Sequence, residues 1–134
     1  MKSNEKNKFR DVPVFNNIKE VIYNSVKLYK ENIAFVTKIK KEDKSTEYIN
    51  HTYQDFLDDI NSFGTGLYDL GLKGKRIAIC GRNRYEWAVA HISNLFGNIV
   101  SVPIDKELQV NELEDSLIRS EVDAIVFDEK YIEN

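Results

Sequence analysis

The residues best placed to do chemistry gather around a single glycine. The run RIAICGRNRYEW at 76–87 carries a short apolar segment into Gly81-Arg82-Asn83-Arg84, where backbone amides and two guanidinium groups would meet an anion. Open α/β sheets hold phosphates at such strand-to-helix turns when glycines let the backbone close around them. A dinucleotide loop needs Gly-x-Gly-x-x-Gly, and a P-loop needs a glycine-rich span ending in Lys followed by Ser or Thr. Only Gly81 stands at this turn, and the P-loop pattern occurs nowhere in the chain. Asn83 and Glu86 instead have the spacing of a carboxamide capping box, so the following helix is expected to satisfy its own amides. The turn therefore reads as capped by protein rather than built to grip phosphate. Arg82 and Arg84 remain anion contacts in principle, although arginines beside a helix start are more often solvated.

Asp105 and Asp128 both fall at the carboxyl ends of expected strands, the side on which open α/β sheets bind ligands. That placement suits a phospho-acceptor receiver domain as well. Such a domain also wants acidic residues after its first strand, where this chain has Gly81-Arg82-Asn83. His51 and His91 lie far apart without a flanking Cys, His or carboxylate at metal-ligand spacing, and each is expected at the surface or half buried. The single cysteine, Cys80, sits inside an apolar run, which excludes an internal disulfide framework and fits a reducing cytosol. No nucleophile is paired with a nearby base, so no catalytic residue and no metal site are assigned.

The elements that must position these groups follow from periodicity. Asn16 or Asn17 caps a first helix with Ile18, Val21, Ile22, Val26 and Tyr29 at helical spacing. Strand-like runs at 33–39 and 46–51 flank the charged connector KKEDKS, the tip of a hairpin. Thr52-Tyr-Gln-Asp55 opens a second helix whose buried stripe is expected to be Phe56, Ile60, Phe63, Leu67 and Leu70, with Gly71 as a left-handed terminus. Gly64 and Gly66 inside it each cost about 1 kcal/mol relative to Ala. Close packing on a neighbouring element is the favoured explanation, and a hinge or lid the sharper one. Beyond Lys75, strands at 76–80, 99–102 and 124–127 alternate with helices at 84–96 and 110–119, and residues 128–134 begin another crossover. Strand and helix alternating at this length imply right-handed crossovers and a parallel sheet. The fold class is α/β: an N-terminal helix and β-hairpin, then the start of a doubly wound parallel sheet. Residues 1–16, polar with scattered lysines, read as a flexible arm, and 17–134 as one α/β subdomain.

Bulk properties narrow the function classes. The chain of 134 residues carries 19 basic and 22 acidic side chains, net −3, with neither sign dominating a long region, so nucleic acid is not an expected partner. No run approaches the roughly 20 apolar residues of a transmembrane helix, and the polar start lacks the apolar core of a secretory signal. A cytoplasmic location is expected.

The ordered motifs carry a family likeness. His51-Thr52-Tyr53-Gln54-Asp55-Phe56, Gly66-Leu67-Tyr68-Asp69-Leu70-Gly71-Leu72, Arg76-Ile77-Ala78-Ile79, Asn83-Arg84-Tyr85-Glu86-Trp87 and Gly97-Asn98-Ile99-Val100-Ser101-Val102-Pro103-Ile104-Asp105 follow one another along the chain. Together they resemble the N-terminal portion of AMP-forming adenylating enzymes: the acyl-CoA synthetases, peptide-synthetase adenylation domains and luciferases. The Asn-Arg-x-Glu-Trp and Pro-Ile-Asp segments look most like the long-chain fatty acid CoA ligase branch. The resemblance runs from about Asn17 to the C-terminus. It implies a parent enzyme that uses ATP, Mg²⁺ and coenzyme A to turn a fatty acid or other carboxylate into an acyl adenylate and then a thioester. It also implies that the phosphate loop, the ribose-binding acid and the catalytic lysine lie later than residue 134, so that the chain is an incomplete portion of the large N-terminal domain.

On that reading the chain alone is expected to be inactive and to bind none of these cofactors tightly. Its partners would be the remaining subdomains of the parent, with self-association of the isolated fragment through unpaired surfaces. Arg82, Asn83 and Asp105 are the candidates for a substrate-facing sheet edge. Two other classes stay open. One is a stand-alone, non-catalytic interaction or receiver-like module with Asp105 or Asp128 exposed. The other is a Rossmann-like oxidoreductase domain, which the missing glycines disfavour.

Overall fold

A computed structural model describes residues 13–131, so residues 1–12 of the expected arm lie outside the described residues. Helix α1 (Ile18–Tyr29) starts at Asn17, whose side-chain oxygen accepts from the Glu20 amide at 3.0 Å. Its apolar stripe is thinner than its periodicity implies: Val26 is buried and Ile22 packs on the core, but Tyr29 is exposed. Strands β1 (Ile33–Lys40) and β2 (Thr46–Thr52) form an antiparallel hairpin whose charged tip is exposed and turns through Lys44 at positive φ.

Helix α2 (Tyr53–Asp69) has both halves of the expected capping box: the Asp55 amide donates to Thr52 Oγ1 at 3.1 Å, and the Thr52 amide donates to Asp55 Oδ2 at 2.8 Å. Gly71 takes the left-handed conformation expected of it, at φ +75. Neither helix glycine is required by close packing. A Cβ at Gly64 would lie 3.9 Å from the Ser93 side chain on the neighbouring helix, an ordinary contact, and a Cβ at Gly66 would meet nothing within 4 Å.

The remaining elements are β3 (Arg76–Cys80), α3 (Tyr85–Phe96), β4 (Val100–Ile104), α4 (Val110–Arg119), β5 (Ala124–Phe127) and a single 3-10 turn (Glu129–Tyr131). The strands form an all-parallel sheet in the order β4-β3-β5. Stepping from β3 out to β4 and back across to β5 with right-handed crossovers sends α3 and α4 to opposite faces, the doubly wound arrangement. Strand β4 extends past the expected 102 through Pro103. On an edge strand the missing amide of proline can face away from the ladder at no cost. The crossover helix expected from 128 is only that 3-10 turn within the described residues.

The core has two centres. Phe56 and Ile60 of α2 meet Tyr85 and Val89 of α3, with Phe35 of the hairpin packed against them. Leu67, Ile77 and Ile99 join the end of α2 to the sheet. Ser93, fully buried, donates to the Ile60 carbonyl at 2.9 Å and ties α3 to α2. By contrast α4 buries no residue completely, so the opposite face is thinly covered.

Candidate functional site

The carboxyl ends of the three strands bring Arg82, Asn83, Asp105 and Asp128 to one edge of the sheet, and the glycine there has a packing role. A Cβ on Gly81 would lie 3.1 Å from the Asp128 Cβ, closer than nearly all real contacts. Glycine lets the end of β5 close on the end of β3, where the Asp128 amide donates to the Cys80 carbonyl at 3.1 Å.

The guanidinium groups are spent on carboxylates. Arg82 donates to both carboxyl oxygens of Asp128, through Nε at 2.5 Å and Nη2 at 2.8 Å. Arg84 holds Glu86 through Nε at 2.7 Å and Nη2 at 3.1 Å, and its Nη1 reaches both oxygens of Glu129 at 3.1 Å. The Arg82 hydrogen bonds hold the Asp128 carboxyl far below the usual carboxylate range, and Arg84 holds Glu86 below it too. Both guanidinium groups are shifted upward by the same bonds. Two cations facing three carboxylates leave the edge with a net negative charge, which opposes a phosphate. The hollow between these groups measures about 120 Å³, small against the roughly 300–1,000 Å³ of ordinary small-molecule sites.

Asn83 does not cap α3. The N-cap is Arg84, in extended backbone and without a side-chain cap bond. The expected box fails because α3 starts one residue later, which puts Glu86 at the second helical position, where its carboxylate accepts from Arg84. Asp105 is exposed and accepts from the Glu107 amide at 3.0 Å, closing its own loop. Asp128, with its side chain 2% accessible and held by Arg82, is not the exposed acceptor that a receiver-like module needs. Burial, with the nearby Asp105 charge, pushes the Cys80 thiol up and leaves it inert. Both histidines are half buried in structural contacts. The His51 ring stacks on Tyr85 at 3.7 Å, and His91 Nδ1 lies 2.9 Å from Ser101 Oγ. Among the described residues no group of three His, Cys, Asp or Glu could hold a metal ion.

A larger concavity, unforeseen in the sequence, runs between α2 and α3 above β5 and encloses about 830 Å³. Phe63, Gly66, Leu67 and Leu70 form one wall, Val89 and Ala90 the other, and Val126 the floor. Leu70, expected in the buried stripe, is 74% exposed because α2 ends at Asp69 and the helical period no longer carries it inward. Leu72 takes the packing place against Leu67 and Ile77. The lining holds Asp59, Asp69 and Glu86 and no Lys or Arg. Tyr85 donates to Asp59 Oδ2 at 2.6 Å, and burial, aided by Asp59, pushes the phenol upward. The signal for this groove was present as Gly66 and Leu70, a helix glycine and a leucine beyond what one buried stripe required.

Neither concavity holds a nucleophile with its base or a clamp for a transferring phosphate. Among the described residues these two concavities offer no set that would clamp the phosphates of ATP or hold Mg²⁺, and no reaction step is routed through them.

Comparison with known proteins gives three findings. The family described as AMP-binding enzyme matches residues 23–134. The medium-chain acyl-CoA ligase ACSF2, mitochondrial, of Danio rerio is 30% identical over 84 residues, which is 62% of this chain and 14% of that protein. Among solved structures, the anthranilate CoA ligase AuaEII in complex with anthranoyl-AMP superposes with a TM-score of 0.75 at 16% identity, over 90% of this chain and 22% of that one. The Klebsiella oxytoca NpsA N-terminal subdomain gives a TM-score of 0.73 at 12% identity, over 86% of this chain and 28% of that one. At these identities the superpositions speak for the fold alone. The chain spans a small fraction of the length of each of these proteins.

Proposed function

This chain belongs to the AMP-binding enzyme family, and we propose on that premise that it forms the N-terminal part of an ATP-dependent, AMP-forming acyl-CoA ligase. In the parent, a carboxylate oxygen attacks the α-phosphorus of ATP and the bond to the β-phosphate breaks, giving acyl adenylate and pyrophosphate. Coenzyme A thiolate then attacks the acyl carbon and AMP leaves. The observation that carries the reading is the family match over 23–134, joined by an acyl-CoA ligase among the relatives. The role of this chain is that of scaffold: a sheet and a helix pair that later subdomains close upon, with the edge at Arg82, Asn83 and Asp105 facing them. Its own carboxylates neutralise its arginines, which supports a chain that is inactive alone.

The substrate class is a fatty carboxylate. The ordered motifs favour a long chain and the name of the Danio rerio relative a medium one. No helix among the described residues is long and apolar enough to cross a membrane. A buried free thiol at Cys80 favours a reducing compartment, cytoplasm first.

The test is carboxylate-dependent exchange of labelled pyrophosphate into ATP. The parent, read from the coding frame beyond residue 134, should show it with acids from medium to long chain, and the 134-residue chain should show none. Robust exchange by the short chain would refute its assignment as scaffold. A parent with no exchange for any acid would refute the ligase reading.

A further inference from the structure

A short polar chain joins α3 to β4. His91 Nδ1 lies 2.9 Å from Ser101 Oγ, and the same hydroxyl oxygen accepts from Asn94 Nδ2 at 3.3 Å. Asn94 is fully buried, yet its Oδ1 has no hydrogen-bond partner, the only buried side-chain polar atom in that state among the described residues. An unpaired buried acceptor is costly and calls for an explanation. Strand β4, which His91 faces, carries no ionisable side chain. The charged groups on the other elements packed against α3 are engaged elsewhere: Arg76 of β3 with the Ser120 carbonyl, Asp59 of α2 with Tyr85, and Lys19 of α1 over the Phe96 ring. On α3 itself Glu86 is held by Arg84, and in the hairpin His51 meets Thr37.

This chain of hydrogen bonds can run in two directions. With His91 neutral and its hydrogen on Nε2, the Ser101 hydroxyl donates to Nδ1 and accepts from the Asn94 amide, which leaves Asn94 Oδ1 without a donor. When His91 takes a proton from solvent, Nδ1–H becomes the donor and Ser101 Oγ its acceptor. The Ser101 hydrogen is displaced and needs a new acceptor. A half turn of the Asn94 amide about χ2 puts Oδ1 where Nδ2 stands, 3.3 Å from that hydroxyl. Each direction satisfies one end of the amide and orphans the other, so the amide itself favours neither and the proton on His91 selects between them. We propose that His91, Ser101 and Asn94 form a proton-sensitive switch at the root of β4. The Asn94 backbone carbonyl accepts from the Gly97 and Ile99 amides at 3.1 and 3.0 Å, so the switch sits on the connection that leads α3 into β4. It does not depend on the ligase reading.

Trp87, the single tryptophan of the sequence, stacks on His91 with ring centroids 5.0 Å apart and reports its charge. In the 134-residue chain, Trp87 emission should fall as the pH is lowered from about 8 to about 5. His91→Gln should abolish that change, and His51→Gln should leave it in place. In NMR spectra of the same chain labelled with ¹⁵N-asparagine, the Asn94 side-chain amide resonances should move with the same midpoint. They should stop moving in Ser101→Ala, which keeps the His91 charge but breaks the hydrogen-bond chain. Asn94→Leu gives an independent readout. It removes the acceptor for the displaced Ser101 hydrogen, so the emission midpoint should fall by about half a pH unit to one unit. Asn94 resonances that stay still through the emission change overturn the switch, and this is read in the unsubstituted chain, whatever the folding of a variant. Resonances that move as far in Ser101→Ala, or a midpoint unchanged or raised in Asn94→Leu, overturn it as well.

Discussion

Asp128 is the most strongly perturbed acid at the carboxyl edge, because Arg82 donates two hydrogen bonds to a side chain that water barely reaches. Its folded carboxyl titrates below its unfolded counterpart. The stability it contributes is therefore present above the unfolded range near about pH 4 and lost as the pH falls through the folded range. Asp128→Asn should lower the urea midpoint at pH 7, and the gap to the unsubstituted chain should close on acidification below that range. A gap independent of pH would exclude the ion pair as its cause. Tyr85 makes a different kind of contact: its ring stacks on His51 and its hydroxyl donates to Asp59. Tyr85→Phe keeps the stack and removes the hydrogen bond, at a cost of about 1 kcal/mol in chemical denaturation. At this scale Gly81 is instructive, because the sequence shows a glycine after a strand but not the neighbour that requires it. That neighbour, Asp128, is distant in sequence and meets Gly81 only once β3 and β5 have paired.

Caps separate the local from the long-range at the scale of elements. Thr52→Ala removes a complete capping box and should cost about 1 kcal/mol. Asn83→Ala, at the cap position that periodicity and spacing select, should change stability by no more than about 0.5 kcal/mol. Paired thermal melts compare the two, and a large loss from Asn83→Ala would mean that α3 starts earlier than Arg84. The difference was not legible in the sequence because both sites present an Asx or hydroxyl residue three positions before an acid. What decides is Arg84, which takes Glu86 for an ion pair. Helix α4 and strands β3 and β5 match their expected bounds, since each is delimited by its own short-range pattern. Strand β4 was set too short at Pro103, because its place at the sheet edge is a property of the assembled sheet and not of the run VSVPI.

For the whole molecule, the parallel α/β architecture was open to sequence reasoning, since strand and helix alternate at crossover length. The groove was not. An apolar wall counts as surplus only when one knows what the core has already covered, and Leu70 and Gly66 look like core residues until α3 is in place. Arg82, Asn83 and Asp105 lie at the carboxyl edge of the sheet, yet the charge balance there was invisible because Glu129 and Asp128 arrive from the far end of the chain. The expected absence of pyrophosphate exchange in the isolated chain belongs to this scale. It follows from parts that no single substitution here could supply.

The acidic lining of the groove also bears on how such a polypeptide is made. In a parent synthesised from its N-terminus at about 5–20 residues per second, this subdomain would emerge and fold well before the rest of the polypeptide. During that interval Leu70, Phe63 and Val126 lie open to other nascent chains. Asp59 and Asp69 then act as gatekeepers, repelling identical neighbours on the same polysome. Charges at the rim would thus protect the apolar surface until the later parts of the polypeptide have been translated.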